Sequence, residues 1–596
     1  MQTGPSTTRT TPSQLFERLF LPEIVACALA ALVYVATLSF GFVYDDVPQI
    51  LKNPAIQNWQ YLPQYFTAHV WAAIYPGSSG NYYRPLFLLW LRLNYALFGP
   101  QAWGWHLTSI VCHVLATWLV FRISVKLASD RLTGCVAGVL FAVHPAHIEN
   151  VAWISGVTDP LMACLSLGSF SAYLNFRDSR RFQQLILSLG FFALALLSKE
   201  TAVVLPVLIF TFALLSPHAP DMDDAKHRGL GRAFRESAPY LLLLLLYVPV
   251  RYYALHGWSH ATIHIGWTEV LLTWPSVFWF YARHLILPLR MSEFYSLDYV
   301  LHATPASVWL PLALAVAAVI ALCLLVRTLS QRAELQKSLA RFALVLIVVP
   351  LLPVLDLRSL TIGDIVHDRY LYLPTVGVVL LIALAIRELG YRLPQGHQTL
   401  LPQAAAVTIV VVYAAITIVE QMPWSNDIAL YTRGIESAPA NLTVRDNLAN
   451  ALLDANQPAR AIPLYREVIS RNPNFWRSNY NLGFAYYKTA NFPSAEDSLQ
   501  RAIRIDPSDS DQYIYLALAQ LQMKKLEEAT ENARHAINHA PQARGYHFVL
   551  ALIYEAAEER SRALAELKLE IADHPDNAAA LAELQKLEGN LPPSQP

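Results

Sequence analysis

Residues 21–47 read LPEIVACALAALVYVATLSFGFVYDDV. From Leu21 to Phe42 the run is predominantly apolar. At 1.5 Å per helical residue it is long enough to cross the ~30 Å hydrocarbon core of a bilayer. It is too long for a signal-peptide core, and no small-residue cleavage site precedes Tyr44, so a retained first transmembrane helix is expected. The run stops at two adjacent carboxylates, Asp45 and Asp46. Position alone would make them a membrane-exit signal; the rest of the chain decides whether they do more.

Composition agrees with a membrane protein. Of 596 residues 55% are hydrophobic and only 15% charged, where soluble domains carry nearer a quarter. The net charge is zero, which gives nucleic acid nothing to bind. Cys27, Cys112, Cys135, Cys164 and Cys323 all fall inside apolar segments without metal-ligand spacing, which argues against disulfides and zinc.

Outward from residue 47, a loop rich in Trp, Tyr, Asn and Pro runs to about Tyr83. Arg84-Pro85 then opens a short apolar segment that also carries Arg92 and Asn94, the pattern of a helix lying in the interface. Further spans are expected at about 103–126, 133–152, 157–176, 183–199, 201–216, 239–254, 306–327, 341–356, 370–388 and 399–420. The total is about eleven. Residues 267–289 fit either a twelfth span or a helix folded into an outer loop. With the N-terminus inside, the inner loops collect Arg122, Lys126, Arg177, Arg180, Lys226, Arg228, Arg232, Arg327, Arg332 and Arg387, the positive-inside pattern. This orientation needs 267–289 not to cross fully. An odd number of spans then puts the Asp45–Asp46 loop and the C-terminal region outside the cytosol.

Past Pro423 the apolar runs end and a period appears. Pro439, Pro473, Pro507, Pro541 and Pro575 lie 34 residues apart. Leu448, Leu482, Leu516 and Leu550 keep the same register, and so do Ala461, Ala495, Ala529 and Ala563. A 34-residue period with small residues at the helix contact and a closing Pro is the tetratricopeptide signature. The domain plan is a tail over 1–20 and a membrane domain over 21–422 with a large first outer loop at 43–102. A half repeat or linker follows at 423–439, then four repeats over 440–575 and a capping helix and tail over 576–596. The fold class is all-α, a polytopic membrane helix bundle followed by a tetratricopeptide α-solenoid. The solenoid offers a concave surface for a protein or peptide, or else serves as a passive stalk.

Four polar clusters fall at the expected outer ends of membrane helices. They are Tyr44-Asp45-Asp46; His144-Pro145-Ala146-His147-Ile148-Glu149-Asn150 with Asp159; Lys199-Glu200; and Asp364 through Pro374, including His367, Asp368, Arg369 and Tyr370. Ionisable groups at a membrane edge are costly unless solvated, paired or used, so four on one face point to a site there. His144, His147 and Glu149 are of the types that ligate metals, and a divalent ion is the one cofactor the residues suggest. No Walker loop or dinucleotide fingerprint is present.

Phe42-Val43-Tyr44-Asp45-Asp46, Arg84-Pro85-Leu86, Phe141 through Glu149, Lys199-Glu200 and Asp368 through Pro374 occur in this order. The sequence thereby resembles the transmembrane and tetratricopeptide-repeat O-mannosyltransferases and their bacterial relatives of GT-C architecture, over nearly the whole chain after residue 20. The resemblance implies transfer of a sugar from a polyprenyl-phosphate donor to an acceptor outside the cytosol, with inversion. It also implies an acidic residue of the first outer loop, Asp45 or Asp46, as base. That family often has Arg after the Gly that follows its His-Pro motif, whereas here Val157 follows Gly156. A cation for the donor phosphate would then come from Arg369 first, with Lys199, Arg84 and Tyr370 beside it. His144, His147, Glu149, Asp159, Glu200 and Asp368 would shape the site or hold a metal. The partners expected are the lipid-linked sugar, membrane lipid and an acceptor polypeptide or glycan held by the repeats. A bacterial plasma membrane is favoured over the endoplasmic reticulum. The rival readings are a non-catalytic membrane-anchored scaffold and a lipid-linked-sugar transporter. The latter would need charges lining a path through the bilayer rather than clustered at one surface.

Overall fold

A computed structural model describes residues 12–216, 225–258, 265–331, 334–360 and 363–589, without the side chains of 12–20, 225–228 and Ser359. Residues 1–11, Arg332, the tail after Gly589 and the side chains of Lys226 and Arg228 therefore lie outside the described part. The described residues form helices and short helical turns, with no β-strand among them. They divide into two compact units, Met1–Ala438 and Pro439–Pro596.

In the first unit seven helices are long and apolar enough to cross a membrane: Leu21–Ser39, Ala102–Ala128, Gly229–Leu255, Pro305–Leu329, Glu334–Leu355, Pro374–Arg392 and Leu400–Ser425. An eighth counts if Arg131–Val143 and Pro145–Ala152, bent by 51°, form one broken span. The faces these helices turn outward are apolar: in Pro305–Leu329, Val316, Val319, Ile320 and Leu324 are all about half exposed or more. So continuous an apolar surface is stable only against lipid or another apolar partner.

Of the eleven spans expected, those at 133–152, 157–176, 183–199 and 201–216 are not among these seven, and three of the four are bent or short. Pro145 breaks the segment expected at 133–152, since it lacks the amide proton a continuing helix needs. Lys199 lies in extended backbone between Phe182–Ser198 and the turn Glu200–Val204 that leads into Leu205–Leu215. Phe182–Ser198 and Glu200–Leu215 are apolar but shorter than those seven. Trp267–Ile286 is one 20-residue helix, and it is not among those apolar enough to cross.

These interruptions build the site. Non-helical backbone at membrane depth persists only where protein buries it or it lines a cavity. Here the turns at 43–51, 153–157, 199–204 and 368–371 meet around one cleft. The helix Thr158–Ser179 starts at this cleft with Thr158. About 30 Å away by its length, its other end carries Arg177.

The helix Asp427–Ser437, expected as a half repeat, falls within the first unit. Asp427 Oδ1 accepts a 2.8 Å bond from the Tyr44 amide, and Tyr431 packs on Phe294 and Tyr44 at 6.1 and 6.5 Å.

The second unit is four antiparallel helix pairs, from Leu442–Asp454 with Pro458–Arg471 to Tyr546–Ala556 with Arg560–Asp573, then Ala578–Gly589. Ala461, Ala495, Ala529 and Ala563 are fully buried, and at the second pair a Cβ on Gly483 would come within 2.6 Å of the Leu499 side chain. The turn inside each pair uses a left-handed residue at Asn456, Ala490, Lys524 and Glu558, again 34 residues apart.

Candidate functional site

The cleft is lined by Asp45, Arg84, Lys199, Arg369 and Tyr370, with Gln49, Tyr82, Trp153 and Ser155 completing its polar and aromatic wall. Its empty volume, counted out to open solvent, is about 560 Å³. Three of the four polar clusters read from the sequence thus converge on it through Asp45, Lys199 and Arg369; the remaining one, His144 to Asp159, contributes through neighbours.

The two aspartates part company. Tyr44 has a left-handed backbone, φ 54°, unusual for a bulky residue. The Asp427 bond and ring contacts with Trp153 and Phe294, both 5.8 Å, hold it. The chain then turns into a short helical segment at Val47 rather than running extended. Asp46 points inward and is fully buried. Its Oδ1 accepts from the Ser155 amide and hydroxyl at 2.9 and 2.6 Å, and its Oδ2 from the Val43 amide at 3.2 Å. Asp45 lines the cleft, with only a long 3.5 Å contact from Gln49 Nε2. Burial raises the pKa of both, Asp45 to about 6 although Arg369 opposes the rise, and Asp46 to about 7 although the Ser155 and Val43 bonds oppose it.

Every cation at the cleft has a carboxylate partner. Arg84 grips Glu200 in a fork, Nε–Oε2 2.9 Å and Nη2–Oε1 2.5 Å, under the ring of Tyr82. Lys199 Nζ lies 2.5 Å from Asp159 Oδ2, both buried, and 5.3 Å from the centre of the Tyr370 ring. Asn150 Nδ2 donates to Asp159 Oδ2 and to the Arg369 carbonyl, both at 3.2 Å. Arg369 Nη1 is shared between Glu149 Oε1 at 2.5 Å and Glu293 Oε1 at 2.9 Å, and its amide donates to Glu149 Oε2 at 2.9 Å. The rings of Trp153 and Tyr370 flank the guanidinium at 5.6 and 5.5 Å.

His144 and His147 do not join Glu149. His144 Nε2 faces the Leu285 carbonyl at 3.2 Å and its Nδ1 accepts from the Ala146 amide, closing the turn at Pro145. His147 Nε2 meets Thr375 Oγ1 at 2.7 Å. Both rings are buried with Tyr372, Phe141 and Tyr413, while Glu149 turns to Arg369. Asp368 likewise leaves the cleft: His284 Nδ1 lies 2.7 Å from its Oδ1 and Tyr295 donates to its Oδ2.

Glu293, in the stretch between Trp267–Ile286 and Pro305–Trp309, went unpredicted, as did the place of His367. Among the described residues, ligand atoms of Glu149, Glu293 and His367 lie within 4.8 Å of one another. A lone Glu in a long connection gives no pattern. The only signal for it was the neighbouring Met291 through Tyr295, polar and aromatic between apolar runs.

Residues 83–253 match the family described as dolichyl-phosphate-mannose-protein mannosyltransferase, and residues 447–510 match the tetratricopeptide repeat. Protein O-mannosyl-transferase Tmtc1 of Drosophila melanogaster is 37% identical over 226 residues, covering 37% of this chain and 26% of that protein. Protein O-mannosyl-transferase F38B6.6 of Caenorhabditis elegans is 23% identical over 472 residues, covering 76% of this chain and 63% of that one. Over most of its length the chain is thus similar to proteins named protein O-mannosyl-transferase, and over 447–510 to tetratricopeptide repeats. Protein O-mannosyl-transferase TMTC3 of Mus musculus matches over 86% of this chain at 23% identity, with 60% of its own length covered. The chain thus spans less than two thirds of each of these three relatives.

Proposed function

We propose that the chain moves a mannose-class sugar from a polyprenyl-phosphate donor to a hydroxyl of an acceptor polypeptide at the extracytoplasmic side of a membrane. The observation that carries this reading is the cleft itself, where one available carboxylate, Asp45, faces three cations and a set of aromatic rings. Family likeness points the same way.

In the reaction, Asp45 takes the proton of the acceptor hydroxyl. The hydroxyl oxygen bonds to the anomeric carbon from the face opposite the phosphate, and the bond from that carbon to the phosphate oxygen breaks. Polyprenyl phosphate departs with the electron pair and the sugar is inverted. Base assistance of this kind contributes about 10²–10⁴ in rate. Asp46 holds the turn that aims Asp45. Arg369, Lys199 and Arg84 receive the phosphate, Arg369 best because a planar guanidinium grips phosphate through two bonds. Trp153 and Tyr82 give the sugar ring apolar faces. The repeats present the acceptor, and the isoprenoid lies against the apolar helices.

Membranes carrying the chain should move label from polyprenyl-phosphate mannose to polypeptide, and Arg369→Ala should abolish the transfer while the protein still inserts. A non-catalytic scaffold predicts no label above that of membranes lacking the chain.

A further inference from the structure

We infer that Glu149, Glu293 and His367 form a divalent-cation site that competes with Arg369 for the two carboxylates. The three residues come from separate segments, the helix Ile148–Ala152, the connection before Pro305 and the stretch before Asp368, and all are buried. Their ligand atoms lie within 4.8 Å of one another. His367 Nδ1 has no hydrogen-bond partner although the ring is only 1% exposed, and it lies 3.7 Å from Glu293 Oε1. A buried imidazole nitrogen facing a carboxylate, with no proton acceptor engaged, is placed as a ligand would be.

Charge carries the inference further. Glu149 and Glu293 share one guanidinium, while Asp364, 36% exposed, lies 3.3 Å from His367 Nε2. The neighbouring pairs Arg84–Glu200 and Lys199–Asp159 are closed and lend no surplus positive charge. Two buried carboxylates on one guanidinium keep one uncompensated negative charge, which is costly. One divalent ion in place of the guanidinium neutralises the two glutamates; a monovalent ion there leaves them negative.

The ion would take the place of Arg369 Nη1 on both glutamates. Arg369 is 18% exposed at the cleft wall and already lies beside Trp153 and Tyr370, so the freed guanidinium can turn into the cleft. Two carboxylates and one imidazole suit Mn²⁺ or Zn²⁺ better than Mg²⁺ or Ca²⁺, which prefer oxygen alone. Use of the released Arg369 on a donor phosphate rests on the function proposed above; binding of the ion does not.

The test is Mn²⁺ titration of the untagged full chain in detergent after chelator treatment, with free Mn²⁺ read by electron paramagnetic resonance and no sugar donor present. One saturable equivalent is expected, lost in Glu293→Gln and His367→Ala. Arg369→Ala, which removes the competing cation, should bind Mn²⁺ about tenfold more tightly. A variant that merely damaged the fold would bind more weakly. Absence of a saturable equivalent, its survival in both ligand variants, or unchanged or weaker binding in Arg369→Ala would overturn the site. Failure of sugar transfer alone would leave it standing.

Discussion

At the residue scale, the two adjacent aspartates are expected to fail in different ways. Asp46→Asn replaces an acceptor by an amide whose NH₂ group would confront the Val43 amide or the Ser155 donors. Ser155→Ala removes only the hydroxyl bond to Oδ1. Losing a buried bond to a charged group costs about 1–3 kcal/mol, so both should lower the melting temperature of the detergent-solubilised chain, Asp46→Asn more. An unchanged melting temperature in Asp46→Asn would separate Asp46 from the turn. Asp45→Asn has no such bonds to lose and should melt like wild type. The pH dependence has a defined sign. Asp45 must be ionised to accept a proton, and burial raises its pKa to about 6, so kcat/KM should rise with pH through an acid limb near 6. A limb near the ordinary carboxylate value of 3.8 would contradict the buried placement. Stability moves oppositely. With both folded-state values raised, the folded chain holds more protons than the unfolded one between about 4 and 7. The contribution of the pair is therefore fully present below about 4 and is lost as pH rises through 6 to 7.

At the scale of elements, close approach decides what can change. A Cβ on Gly156 would lie 2.4 Å from the Glu149 carbonyl oxygen. That backbone contact cannot yield without moving Ser155 away from Asp46. Gly156→Ala should therefore lower transfer activity sharply in a protein that still inserts, which activity measured per inserted chain would check. In the repeats, a Cβ on Gly483 meets the Leu499 side chain and backbone at 2.6–3.2 Å. Gly483→Ala should destabilise the pair Trp476–Lys488 and Phe492–Ile505 by about 1–3 kcal/mol, seen as faster amide exchange in those two helices. The repeats could be read in advance because period, Pro and small residues repeat four times in register. The breaks in the membrane segments are not legible in hydropathy. Hydropathy over 133–152 or 183–216 does not register that Pro145 and Lys199 end helices inside an apolar run. Those same breaks carry the cleft, with Lys199 at one of them. The direction of the His144 and His147 rings is illegible for a related reason. A ring beside a chain-breaking Pro points either way, and here both serve the packed interior. Glu293 had no pattern to betray it, and only the fold brings it to Arg369.

At the scale of the molecule, the helix Thr158–Ser179 has the cleft at one end and Arg177 near the other, about 30 Å apart by its length. The positive-inside pattern of the loops predicts that the cleft faces away from the cytosol. A reporter fused after Pro596 should be extracytoplasmic, and a cytosolic signal would contradict the orientation. The claim that joins all three scales is that Asp45, and not its fully bonded neighbour, removes the acceptor proton. The direct measurement is transfer of labelled mannose from polyprenyl phosphate to polypeptide in membranes with equal amounts of wild type, Asp45→Asn and Asp46→Asn. The expected result is a fall of about 10²–10⁴ for Asp45→Asn, with Asp46→Asn retaining activity in proportion to the folded protein present. Wild-type transfer by Asp45→Asn would contradict the account.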